Sequence, residues 1–150
     1  MTQKPEGEME ASFHYLLMAS QTLFQREVFA RLKDTGLTSG QPKVLDYLGG
    51  HDGASQKEIA AGCHIEPASL TAVLNGMEAK GLIERRSLNN NRRTSHVFLT
   101  QRGRQLQEEA ARVFAQVEQA VLSGLTQEDR QGFMRVLGEI YGRLSQHREE

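Results

Sequence analysis

Along most of this chain the apolar residues recur at the three-to-four spacing of a helix, and they give way to short extended runs only between residues 82 and 99. Phe13, Leu16, Leu17, Leu23, Phe24, Val28 and Leu32 fall on one stripe, which predicts a long amphipathic helix ending near Asp34, Thr35 and Gly36. A second helix starts at Ser39 or Gly40, takes Pro42 in its first turn, buries Val44, Leu45 and Leu48, and stops at Gly49 and Gly50. Ser55 followed by Glu58 is a capping box, in which hydroxyl and carboxylate each satisfy a backbone amide left open at a helix start. It predicts a short third helix over about residues 56–61, with Gly62 breaking it and Cys63, His64 and Ile65 making the turn. Pro67 pre-sets the next helix, which runs to Lys80 and is capped by Gly81.

Leu82 to Arg86 and Thr94 to Leu99 read as a strand pair around a run of asparagines, residues that tolerate turn conformations. Two helices complete the pattern. One carries Leu106, Ala110, Val113, Phe114, Val117 and Val121; the other starts at Thr126 and carries Phe133, Val136, Leu137, Ile140, Tyr141 and Leu144. Residues 1–10 hold little to bury and are expected to fray. The expected fold is mostly α with a small β-hairpin: an N-terminal tail and helix (1–36), a winged helix-turn-helix (37–100) and C-terminal helices (101–150).

At 150 residues and 38% apolar content the chain suffices for one compact unit with an appended oligomerisation element. The single cysteine, Cys63, excludes an intramolecular disulfide. The first ten residues lack the features of a signal peptide, and no apolar run approaches the roughly 20 residues that span a bilayer. The expectation is a soluble, cytoplasmic protein without a membrane partner. A net charge of −1 conceals an uneven distribution: residues 80–104 hold seven arginines and lysines against Glu84 alone, or +6, leaving −7 on the rest. A basic island in an acidic body suits a module that meets phosphates with one edge.

The helix after Pro67 has two faces. Leu70, Val73, Leu74 and Met77 anchor one of them inward, while Ala68, Ser69, Thr71, Ala72 and Asn75 form a small, polar outer face that can enter a major groove. Asn75 is the strongest candidate base reader, through a bidentate pair with adenine. Polar outer faces are common on surface helices, but Arg85, Arg86, Arg92 and Arg93 in the adjoining hairpin are what a minor-groove wing requires. Glu66, at the start of the helix, suits the helix dipole but repels phosphate if it faces DNA. The alternative is a winged helix that uses this surface to bind another protein without specific DNA binding.

The QKEIA start of the third helix, the block PASLTAVLNGMEAKGLIERR and the run RRTSHVFLTQRG resemble the MarR family of bacterial transcriptional regulators over nearly the whole chain. The resemblance implies a triangular homodimer with interlocked terminal helices, each protomer presenting one recognition helix to a pseudo-palindromic double-stranded operator. Excess apolar surface on the first and last two helices agrees with such a dimer. It also implies a ligand-responsive repressor, released by a small aromatic or phenolic anion in a cleft walled by His14, Tyr15, Met18 and Tyr47. Two departures stand out. The family's wing usually carries Asp where this chain has Asn91, weakening the aim of Arg93, and Gly76 sits mid-helix, where glycine costs roughly 0.5–1 kcal/mol relative to alanine. Gly76 allows either a close approach to phosphate or tight packing.

Cys63 and His64 are adjacent, but the other histidines show no ligand spacing, so no metal or cofactor is expected and Cys63 reads as a buried structural residue. Without a phosphate loop, nucleophile elbow or HExxH, no reaction class can be assembled and the chain is not read as an enzyme.

Overall fold

The computed structural model describes residues 11–88 and 94–146, and its chain forms two compact units, residues 1–115 and 116–150. The first contains helices α1 (Phe13–Arg31), α2 (Gln41–Gly50), α3 (Gln56–Cys63) and α4 (Pro67–Ala79), strands β1 (Ile83–Ser87) and β2 (Ser95–Leu99), and most of α5 (Gln101–Leu122). The second holds the end of α5 and α6 (Gln127–Gln146).

Ser12 starts α1 by accepting the Tyr15 amide at 3.3 Å. Only the C-terminal part of the predicted stripe is deeply buried, at Val28 and Leu32, and the chain then tightens into a single 3₁₀ turn, Lys33–Thr35, that ends at the left-handed Gly36. The core of the first unit is Leu32, Val44, Leu45, Leu48, Ile59, Leu70, Leu74, Met77, Leu82, Ile83 and Val97. Apolar positions from α2, α3, α4 and the hairpin thus close on one another, as their spacing predicts.

Two local expectations are corrected. Gly62 does not break α3, which runs on to Cys63; the break comes at His64, whose φ of 54° is left-handed. Glycine at position 62 serves packing instead, because a Cβ there would collide with the ring of Tyr47. The capping box also differs in detail: Ser55 Oγ accepts from the Glu58 amide at 3.1 Å, while the Glu58 carboxylate accepts from the Ser55 hydroxyl at 3.1 Å. Gly76 is a matter of tight packing, since a Cβ there would stand 3.0 Å from Nε2 of the buried Gln41.

The strands pair antiparallel with Ile83 opposite Leu99 and Arg85 opposite Val97. β1 begins one residue later than expected because the Leu82 amide still closes the end of α4, donating to the Met77 carbonyl at 3.0 Å. The base of the hairpin is held by residues ahead of α3. The amides of Gly53 and Val97 donate to Val97 and Ala54 carbonyls at 2.8 and 2.9 Å, and Ser55 bridges His96. Asp52 adds a side-chain tie, accepting the Leu99 amide at 2.8 Å and pairing with Arg104 at 3.2 Å.

α5 buries Ala110, Val113 and Val117, and its Phe114 stacks on Phe24 with centroids 6.5 Å apart. Thr126 accepts the Asp129 amide at 3.0 Å to start α6, as its hydroxyl predicts. No α6 side chain among the described residues is buried; Phe133, Met134, Val136, Tyr141 and Leu144 are all exposed.

Candidate nucleic-acid interface

Pro67 sets the first turn of α4, and Leu70, Leu74 and Met77 fasten its inner face to the core. Ala68, Ser69, Thr71, Ala72 and Asn75 are consequently all exposed on the outer face, brought together as the spacing predicts. Thr71 Oγ1 donates to the Pro67 carbonyl at 3.0 Å, which leaves its oxygen outward as an acceptor. Glu66 precedes the helix, and its side chain makes no capping bond to it.

Arg85 is half-buried and turned onto α4 rather than away from the body. Its guanidinium donates to both Glu78 oxygens, at 3.1 and 3.3 Å, and to Asn75 Oδ1 at 2.6 Å. The Arg85 hydrogen bond and charge hold the Glu78 carboxyl below the usual carboxylate range. Asn75 is therefore not an unengaged amide, as the adenine pairing expected from sequence assumes. Arg86 is exposed; it pairs with Glu84 at 2.8 Å and lies 4.6 Å from the centroid of Phe98. Asn91, Arg92 and Arg93 lie outside the described residues.

Sequence reasoning missed Glu78 and Asp52. Glu78 stands one helical turn beyond Asn75, so its placement beside the polar outer face could have been found by counting i to i+3; its pairing across to β1 could not. Asp52 sits in an irregular turn, where no periodicity marks a side chain for a distant amide.

The four residues expected to wall an effector cleft are placed differently from one another. His14, Tyr15 and Met18 lie exposed near the start of α1, whereas Tyr47 is half-buried on α2 with its ring stacked on His51 at 4.3 Å. A cleft of about 330 Å³ is lined instead by Asp34, Thr35, Arg102, Gln105, Leu106 and Glu109, none of them among the four. Cys63 is buried, with its thiol directed to the Lys43 carbonyl at 3.8 Å. Among the described residues, no three or more His, Cys, Asp or Glu side chains are grouped to hold a metal ion, and no helix is long and apolar enough to cross a membrane.

Comparison with known proteins places this arrangement in a lineage. A sequence model described as the MarR family matches residues 35–94, from the turn after α1 into the hairpin. The HTH-type transcriptional repressor Rv2887 of Mycobacterium tuberculosis is 30% identical over 131 residues, covering 87% of this chain and 94% of that protein. Among solved structures, the transcriptional regulator PA3341 superposes with a TM-score of 0.81 at 29% identity, over 90% of this chain and 99% of that one. The MepR–DNA complex of S. aureus superposes with a TM-score of 0.80 at 27% identity, again over 90% and 99% of the respective chains. With an exposed recognition helix, a basic hairpin and relatives matched almost end to end, the chain belongs to the MarR family of winged-helix regulators.

Proposed function

We propose that this protein is a sequence-specific DNA-binding transcriptional regulator that works as a dimeric repressor on a pseudo-palindromic operator. The carrying observation is the outer face of α4: five small or polar side chains, all exposed, on a helix whose inner face is locked into the core. Similarity to HTH-type repressors and to MepR, solved bound to DNA, favours this over a protein-docking winged helix.

Ala68, Ser69, Thr71, Ala72 and Asn75 enter the major groove, and Arg86 with Arg92 and Arg93 of the wing supplies charge for the neighbouring phosphates and minor groove. Dimerisation rests on the apolar side chains that this chain leaves in water on α1 and α6. A two-fold pair of reading heads then meets half-sites about one helical turn apart. Release by a small aromatic or phenolic anion requires that the ligand bind one spacing of the heads more tightly than the other. The exposed His14, Tyr15 and Met18 offer aromatic and polarizable contacts for it.

Selection of bound duplexes from a random pool by the purified protein tests the reading. A palindromic consensus, with affinity falling steeply and linearly on a log–log plot against salt, is expected. Absence of any enriched sequence would overturn it.

A further inference from the structure

The polarity of the reading face is set by neighbours. Arg85 Nη2 stands 2.6 Å from the Asn75 amide. Because a guanidinium carries donors and no acceptor, the amide atom it holds is the oxygen. The amide nitrogen lies on the opposite side of Cγ and faces away from Arg85. Arg85 is itself gripped by both carboxylate oxygens of Glu78, at 3.1 and 3.3 Å, in the forked geometry that fixes a guanidinium in direction as well as distance. Asn75 and Glu78 are neighbours on the α4 surface, so one arginine from β1 spans both.

This arrangement bears directly on base choice. Bidentate recognition of adenine by asparagine uses both amide atoms on one base edge, the nitrogen donating to N7 and the oxygen accepting from the N6 amino group. One lone pair of Oδ1 is committed to Arg85, and the cationic guanidinium beside it opposes the approach of a second donor such as the adenine N6 amino group, so the amino group of Asn75 is the favoured side to offer a base. Guanine presents O6 and N7 as acceptors in the major groove and thymine presents O4; adenine shares the N7 acceptor but places a donor at the exocyclic position, so discrimination by an amide donor falls there.

Resting on the reading of α4 as the helix that enters the groove, we infer that Arg85, held by Glu78, orients Asn75 to read through its amino group and so to select a keto base, guanine or thymine, over adenine. Arg85 is then a positioning residue for specificity and not a phosphate contact. Glu78 acts one step further out, by holding Arg85.

Selection from a randomised duplex pool, run in parallel on the wild type, Asn75→Ala, Arg85→Met and Glu78→Gln, tests this. The position whose preference disappears in Asn75→Ala is the one Asn75 reads. There the wild type is expected to favour guanine or thymine over adenine about tenfold, the scale of one good side-chain–base contact. Arg85→Met, which frees the amide to rotate, moves that one position toward adenine and leaves the rest of the consensus in place; Glu78→Gln does so to a smaller degree. A loss of packing alone would weaken all positions together. Adenine at that position in the wild type, or an unchanged preference there in Arg85→Met, overturns the inference while leaving DNA reading intact. No enrichment by the wild type overturns the DNA reading itself. If circular dichroism shows Arg85→Met to be unfolded, Glu78→Gln carries the comparison, and an unchanged preference in it overturns the inference.

Discussion

The ammonium of Lys80 donates to Oε1 of Gln41 at 2.8 Å, joining the end of α4 to the start of α2 across 39 residues of sequence. The same Gln41 oxygen accepts the Thr38 amide at 3.0 Å, and Lys80 also reaches the Gly36 carbonyl at 2.6 Å. Gln41 is only 3% exposed, so its amide is a buried polar hub that fixes the recognition helix to the turn ahead of α2. Gln41→Leu keeps roughly the volume but leaves the Thr38 amide and Lys80 without this acceptor. A cost of about 1–3 kcal/mol is expected, read as a lowered midpoint in urea denaturation with the slope unchanged.

Tyr47 lies against the α3 backbone at Gly62, so Gly62→Ala forces the ring or the helix to shift. Overpacking of this kind costs about 1–3 kcal/mol. Since the clash is with one side chain, Tyr47→Ala should cancel much of it, and the double variant should be more stable than the sum of the two single losses allows. Additive losses in thermal melts would show that Gly62 is needed for something other than this ring.

Gly62 and Gly76 mark the boundary of what the sequence discloses of the fold. The helices, the hairpin and the division of α4 into inner and outer faces follow from spacing, because Leu70, Leu74 and Met77 can face one core only if Ala68, Thr71 and Asn75 face out. Gly62 and Gly76 look like local breakers or conformational choices, yet each answers to a side chain distant in sequence, Tyr47 in one case and Gln41 in the other. The same holds at the reading face. Asn75 and Arg85 are individually legible as candidates, but their mutual hydrogen bond depends on how β1 returns past α4. The wing arginines Arg92 and Arg93 rest on their sequence alone.

The apolar stripe of α6 gives a prediction about assembly. Tyr141 and Leu144 are 56% and 58% exposed, and Phe133 and Met134 lie on the same helix with half or more of their surface in water. Two exposed aromatic and two long aliphatic side chains on one helix are a liability for a lone chain. Leu144→Glu is expected to shift sedimentation from a dimer toward a monomer at micromolar concentration, with circular dichroism unchanged. A wild-type protein that sediments as a monomer at every concentration would remove the dimer from the proposed function.

Burial pushes the Cys63 thiol up from its ordinary range; Asp46 adds to the rise, and Lys43 opposes it. A raised folded pKa means that the unfolded chain releases this proton first as pH rises. The contribution to stability is therefore complete below the ordinary thiol value of 9.0 and is lost as pH climbs from there toward the folded value. At pH 8 the native protein should react with iodoacetamide far more slowly than the protein in denaturant. Equal rates would contradict the burial of Cys63.

Glu78 gives the opposite sign at the other end of the scale. The hydrogen bond from Arg85, helped by its charge, holds the carboxyl below the ordinary glutamate value of 4.5. A depressed folded pKa contributes stability that is present above the unfolded value and lost as pH falls through the folded one. The grip on Arg85 is thus intact throughout the neutral range and loosens only in acid. The Glu78 partner is solvent-exposed, so the pair's share of global stability is small and its consequence is orientation rather than folding. Carbon-detected NMR titration should place the Glu78 midpoint below 4.5 in the wild type and back in the ordinary range in Arg85→Met. Base preference at the Asn75 position should not vary between pH 6 and pH 8, because the Glu78 carboxyl, held below its ordinary value of 4.5, keeps its charge across that interval. A preference that drifts across that interval would require a different titrating group at the reading face, and Arg85 would lose its role in setting Asn75.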